Sequence, residues 1–215
     1  MNVALPRLQN NLDATRNLVR LIKQDVTLNS VTIQCEDISH IKASSFTGSE
    51  LKLEKITATE ARLEKAGFTD VELLDCSLVA TVFSGSSWRR VLFKNSRCSG
   101  IQLQTSTLRD VTFINCKLDL ANFRFAKLTN VHFKECAIID TDFYSAELNN
   151  VTFEKCDLDK AEFSGSKLKK VDLRSSDITN ISGITSLAGS VIDPVQLIGL
   201  APRLAGELKI TVRDD

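Results

Sequence analysis

The chain has 215 residues, 43% of them hydrophobic, enough to bury a sizeable core in one elongated body. Basic and acidic residues balance at 27 each, which excludes the basic excess of a protein that grips phosphate backbones by bulk charge and the acidic excess of a nucleic-acid mimic. No segment approaches the roughly 20 apolar residues needed to cross a bilayer, and MNVALPRLQNNLD lacks a positive head followed by an apolar run, so the reading is a cytoplasmic protein without a membrane partner.

Residues 1–25 are expected to form a helical cap. Leu5, Leu8, Leu12, Val19 and Ile22 make an apolar stripe along a segment running from near Pro6 to near Lys23.

From residue 26 to 192 a different rhythm takes over. A large apolar residue returns at every fifth place from Phe113 through Leu118, Phe123, Leu128, Phe133 and Ile138 onward, and two residues before each stands a smaller one, Val111, Cys116, Ala121 or Ala126. Neither a helix nor a plain strand keeps residues five apart on one face. The pattern is satisfied if each five makes a short extended side and a corner, so that four fives close a square coil and residues twenty apart stack. Val111, Val131 and Val151 then form one vertical file, and Phe113, Phe133 and Phe153 the next. Coils stacked about 4.8 Å apart would make about seven to eight turns between Val26 and Ile181, a rod of about 35 Å. In the early coils Ala43, Gly48 and Ala58 are undersized at large-residue places, while Phe46, Leu51 and Ile56 are oversized at small ones. The exchange conserves volume, as a packed interior demands, and predicts wider or irregular first coils.

Residues 193–215 are expected to be a C-terminal helical cap and tail. Asp193 and Pro194 supply an N-cap and a first-turn proline. Leu197, Leu200, Ala201, Leu204 and Leu208 give one apolar face, with Pro202 placed to divide the segment into two short helices. Open coil ends expose apolar interior and unpaired edges, so both caps have a reason to exist.

The six cysteines carry no CxxC pair. Cys76, Cys116, Cys136 and Cys156 are separated by multiples of twenty, with Ser96 at the missing step, which makes them a packing column. Cys98 falls on a second inward column, and Cys35 lies outside both.

The units LDLANF, FRFAKL and LDKAEF resemble the A(D/N)Lxx repeat of the pentapeptide-repeat family. The resemblance implies an all-β solenoid, a right-handed quadrilateral β-helix, here with helical caps at both ends. It also implies a non-catalytic protein-interaction or scaffold module acting through its outer faces. The alternative that the resemblance implies is a DNA-mimicking, gyrase-binding protein conferring protection against quinolone-type poisons. In gyrase-directed members the C-terminal helices form a dimer contact, so Leu197, Leu200, Leu204 and Leu208 are the candidate contact of a homodimer.

Little in the residues supports catalysis. His40 and His132 fall on different coils at outward places, and no phosphate-cradling glycine loop, HExxH segment or nucleophile elbow occurs, so no cofactor is expected. Outer charge rows alternate in sign. The densest acidic surface is Asp140, Asp142, Asp157, Asp159, Glu162 and Asp177, diluted by Lys155 and Lys160. Direct nucleic-acid binding is not expected. Val79, Val82, Leu120 and Ile139 interrupt outward places around one corner, and Phe125 projects near the next; together they are the candidate surface for an unidentified protein partner.

Overall fold

The structure, a computed structural model, describes residues 3–23 and 27–213. The backbone is a four-sided parallel β-helix in which every fifth residue turns a corner. Ser30, Glu50, Asp70, Arg90 and Asp110 on one edge, and Cys35, Lys55, Asp75, Asn95 and Asn115 on the next, all hold positive φ near 50–60°. A left-handed residue bends the chain sharply without breaking the extended sides around it, and repeating it every five residues makes the square.

Residues twenty apart pair as the files require. Val111 lies against Val131 and Val131 against Val151, with Phe113 against Phe133 and Phe133 against Phe153. Long strands such as Thr107–Ile114, Lys127–Lys134 and Glu147–Glu154 wrap two sides. The other two are joined coil to coil by bridges, Arg97 to Lys117 to Ala137 on one and Gln102 to Asn122 to Asp142 on the other. The main sheet has ten strands, and the turns number about nine, more than the sequence count. The surplus comes from the ends: Asp13–Ala14 pairs with Val31–Thr32, and Ser190–Val191 pairs with Val171–Asp172, each adding a rung outside the repeats.

Two aromatic stacks fill the middle and later coils. Phe93, Phe113, Phe133 and Phe153 lie ring on ring at 4.6, 5.0 and 4.9 Å, and Phe123, Phe143 and Phe163 stack at 5.0 Å. The two stacks meet edge to face, as between Phe123 and Phe133 at 88°. Stacked and edge-on pairs contribute about 0.5–1.5 kcal/mol each beyond their buried area. Polar residues in the small-residue files are satisfied within the wall: Thr81 Oγ1 donates to the Ala58 carbonyl at 2.6 Å, and Thr141 Oγ1 to that of Leu118 at 2.8 Å. The cysteine column behaves likewise, with Cys136 and Cys156 thiols donating to the carbonyls of Phe113 and Phe133 one coil below.

The early coils keep the register but pack differently. Phe46, Leu51 and Ile56 are buried in the small-residue places. Gly48 makes room for Leu51, since a Cβ there would stand 2.5 Å from Leu51 Cδ1. The exchange is incomplete: an apolar cavity of about 30 Å³ remains among Phe46, Leu51, Ile56, Ala58 and the capping residues Leu18 and Ile22.

The N-terminal expectation of a helix from near Pro6 needs correction. Helix α1 spans only Leu18–Lys23, while residues 3–12 are not helical. Asn10 and Asn11 bend the chain, in keeping with their preference for local backbone bonds over helix interiors, and the open sheet edge recruits Asp13–Ala14 as a strand. Upstream, the Arg7 amide donates to Asp70 Oδ1 at 2.9 Å, so the segment runs from the third repeat coil back over the first. Residues 24–26, where the expected cap would meet the coil, lie outside the described residues.

Helix α2, Pro194–Glu207, starts as the sequence indicates, with Asp193 and Gln196 forming a reciprocal capping box. Pro202 does not divide it: the helix is continuous, and the carbonyl that loses an amide partner belongs to exposed Ile198. Gln196 Nε2 donates to the carbonyls of Leu173 and Ser176, and Arg203 to those of Thr179 and Ile181, so α2 covers the last coil's free acceptors.

Candidate functional site

The corners decide which outward side chains stand proud. On the edge through His40, Glu60, Ala80 and Gly100, the next residue is Leu120; on the following edge, Ser45, Lys65, Gly85 and Thr105 lead to Phe125. Leu120 holds φ 59° and Phe125 φ 57°, and they are 64% and 51% exposed. Bulky side chains are uncommon in the left-handed region, where Cβ crowds the backbone, and here no burial compensates.

Around them the structure assembles a larger patch. Phe125 meets Tyr144 edge to face at 5.8 Å, and the Arg124 guanidinium lies 4.4 Å from the Tyr144 ring centre. Arg124 Nη1 donates to Asp142 Oδ2 at 2.9 Å, which holds the guanidinium on the ring. The Leu120 amide donates to the Ile139 carbonyl at 2.9 Å, which sets half-buried Ile139 beside that corner. Tyr144 and Arg124 are missing from the sequence expectation. The signal was available: Arg124 and Tyr144 are twenty apart and thus neighbours on one outer row.

Val79 and Val82 sit two coils earlier, both half-buried, separated from Leu120 by the coil carrying Ser99, Gly100 and Gln102. They belong to the same sides of the rod but not to the patch.

The acidic residues follow a local rule. Asp142, Asp157 and Asp177 accept the amides of Tyr144, Asp159 and Thr179 two residues on, and Glu162 that of Ser164, bonds that fix the side leading into each corner. The Thr179 amide and hydroxyl hold the Asp177 carboxyl below its usual range. Asp159 is also bonded by Asn180 and faces Lys160 at 3.9 Å. Asp140 is exposed at the corner between them. On the remaining sides charge alternates coil by coil, as in Lys127, Glu147 and Lys167.

His40 is an exposed corner residue 3.4 Å from Glu60. His132 Nε2 lies 3.0 Å from Glu154, which also pairs with Lys134; partial burial would raise the Glu154 carboxyl, but the Lys134 ammonium and the neighbouring His132 ring outweigh it and keep it below its ordinary range. An open concavity of about 790 Å³ at the N-terminal end is lined by Ala14–Asn17 and Gln34–Glu36, but Glu36 is engaged in accepting the amides of Asn17 and Leu18. Among the described residues no group of three or more His, Cys, Asp or Glu is placed to hold a metal ion. Burial pushes the Cys76 thiol up to about 11, far from the reactive thiolate range.

At the C-terminal end the four leucines divide. Leu200 is buried against the last coil and Leu204 packs on the core, whereas Leu197 and Leu208 face outward beside exposed Val195 and Ile198.

A protein-family description, pentapeptide repeat region, matches residues 106–182. Among solved structures, a trypsin-treated variant of QnrB1, described as a plasmid-mediated fluoroquinolone resistance protein, is 19% identical, with 86% of this chain and 99% of that chain covered and a TM-score of 0.45. HetL, a pentapeptide repeat protein involved in heterocyst differentiation regulation from Nostoc sp. strain PCC 7120, is 14% identical over 81% of this chain and 95% of its own, with a TM-score of 0.37. No curated protein sequence gives a significant match.

Proposed function

This chain is a pentapeptide-repeat protein, and on that premise we propose that it is a non-catalytic interaction module whose partner docks on the patch of Leu120, Phe125, Tyr144 and Ile139. The observation that carries the reading is the pair of exposed, bulky corner residues: Leu120 and Phe125 occupy conformations that oppose their side chains and bury little in return. Aromatic residues and arginine, here Tyr144 and Arg124, are the types that concentrate binding energy at protein interfaces. The test is capture from the native host on immobilised protein, wild type beside Leu120→Asn/Phe125→Asn. A protein retained by the first and absent from the second supports the proposal; identical capture on both removes it.

For the C-terminal end we read Val195, Ile198, Leu197 and Leu208 as the contact of a homodimer. Light scattering of wild type and Ile198→Asp would report a dimer converted to a monomer, whereas a monomer at all concentrations discards the contact. A gyrase-directed role is the competing reading. Supercoiling assays with and without a quinolone test it, and protection by the wild-type protein would favour it over a scaffold role.

A further inference from the structure

We infer that the partner segment recognised by the Leu120 and Phe125 patch is basic, presenting lysine or arginine around an apolar anchor; this rests on the patch being an interaction site. The patch is apolar at its centre, but its surroundings are carboxylate-rich. Asp119 and Asp140 stand on either side of the Leu120 corner and its neighbour, one coil apart, and Glu162 follows Asp142 on the adjoining side. Of the cations in this region, Arg124 is engaged by Asp142 at 2.9 Å, Lys160 by Asp159 at 3.9 Å and Lys127 by Glu147 at 3.9 Å, while exposed Lys117 is in no ion pair among the described residues. Asp119, Asp140 and Glu162 therefore keep their charge uncompensated by any ion pair among the described residues.

Asp119 is the most telling of the three. It is half-buried, its Oδ1 atom is shielded from solvent, and that oxygen has no hydrogen-bond partner among the described residues. That shielded oxygen is out of a partner's reach, so what an arriving cation meets is the charge of the Asp119 carboxylate at the rim and not a bond to Oδ1. Positive groups on the partner would meet this rim while an apolar side chain sits between Leu120 and Phe125. Electrostatic complementarity of this kind selects the partner and speeds encounter.

The experiment is selection of a random displayed peptide library on the intact protein, with counter-selection on Leu120→Asn/Phe125→Asn. Enriched peptides are then measured against wild type and against Asp119→Asn/Asp140→Asn/Glu162→Gln. The expected result is patch-dependent peptides that combine Lys or Arg with a Leu, Phe or Trp, lose about tenfold or more in affinity on the neutralised variant, and weaken as salt rises. Patch-dependent peptides that are neutral or acidic, or basic ones indifferent to the neutralised variant, overturn the basic-segment inference and leave the interaction site standing. Absence of any enrichment that depends on Leu120 and Phe125 overturns both. Circular dichroism of each variant, expected to match wild type, separates loss of binding from loss of fold.

Discussion

The first coils and the later ones follow the same register but fill it differently. From Phe93 onward, phenylalanines repeat in two files and stack on their own kind at about 5 Å, so each coil is a copy of the one below. Before that, Phe46 meets Phe68 at 61° and 6.0 Å, Phe68 stacks on Trp88 at 4.2 Å without a repeating file of one ring type, and a small apolar cavity persists beneath α1. A coil need only conserve volume to close, but identical coils also gain ring-on-ring contacts. The contrast teaches that the backbone tolerates poor packing while stability concentrates where the repeat is cleanest.

The largest expected effect breaks the clean region. Phe133 touches rings above, below and edge-on, so Phe133→Ala should cost about 3–5 kcal/mol, read as a lower urea midpoint. Phe133→Asp should leave no cooperative transition, because an unpaired charge would stand in a dry interior. Next comes one substitution made at a small-residue place of the later coils and at an undersized large-residue place of the early ones. Ala121→Val overfills the tight coils and should destabilise by about 1–3 kcal/mol. Ala58→Val enters a place lined by the cavity and should stabilise by about 0.5–2 kcal/mol. Equal signs at the two sites would contradict the comparison.

Acid should act on the early region. Asp70 is buried, which by itself would raise its carboxyl, but the Arg90 fork and the Arg7 amide outweigh this and hold it below the ordinary value. Its folded pKa being depressed, its stabilisation is present above the unfolded value of about 3.9 and is lost as pH falls through the folded one. Hydrogen exchange across residues 3–17 should therefore accelerate in that acid range before the later coils respond. Asp70→Asn should loosen the same segment at neutral pH, at roughly 1–3 kcal/mol.

Much of this architecture was legible because the rhythm of five has a single physical solution: Val111, Val131 and Val151 can share a file only if corners recur at every fifth residue. Gly48 beside Leu51 was legible for the same reason, as a volume exchange across one coil. The N-terminal segment was not. Leu5, Leu8 and Leu12 fit a helical stripe, but the unpaired edge of the first coil supplies backbone partners that periodicity does not record, and the chain became a strand and a strap. At the surface, Leu120, Phe125 and Ile139 could be picked out as apolar residues at outward places. The Arg124 stack on Tyr144 depends on side-chain directions one coil apart, which the letters alone do not weigh.

The smallest predicted effect carries the most information. Asparagine tolerates the left-handed corner better than leucine or phenylalanine, so Leu120→Asn and Phe125→Asn should leave stability unchanged or raise it by about 1 kcal/mol each. The urea midpoint of the double variant is the direct measurement. A midpoint at or above wild type means that these side chains are kept for something outside the fold; a clear drop would mean that they serve the coil itself, and the interaction surface would lose its foundation.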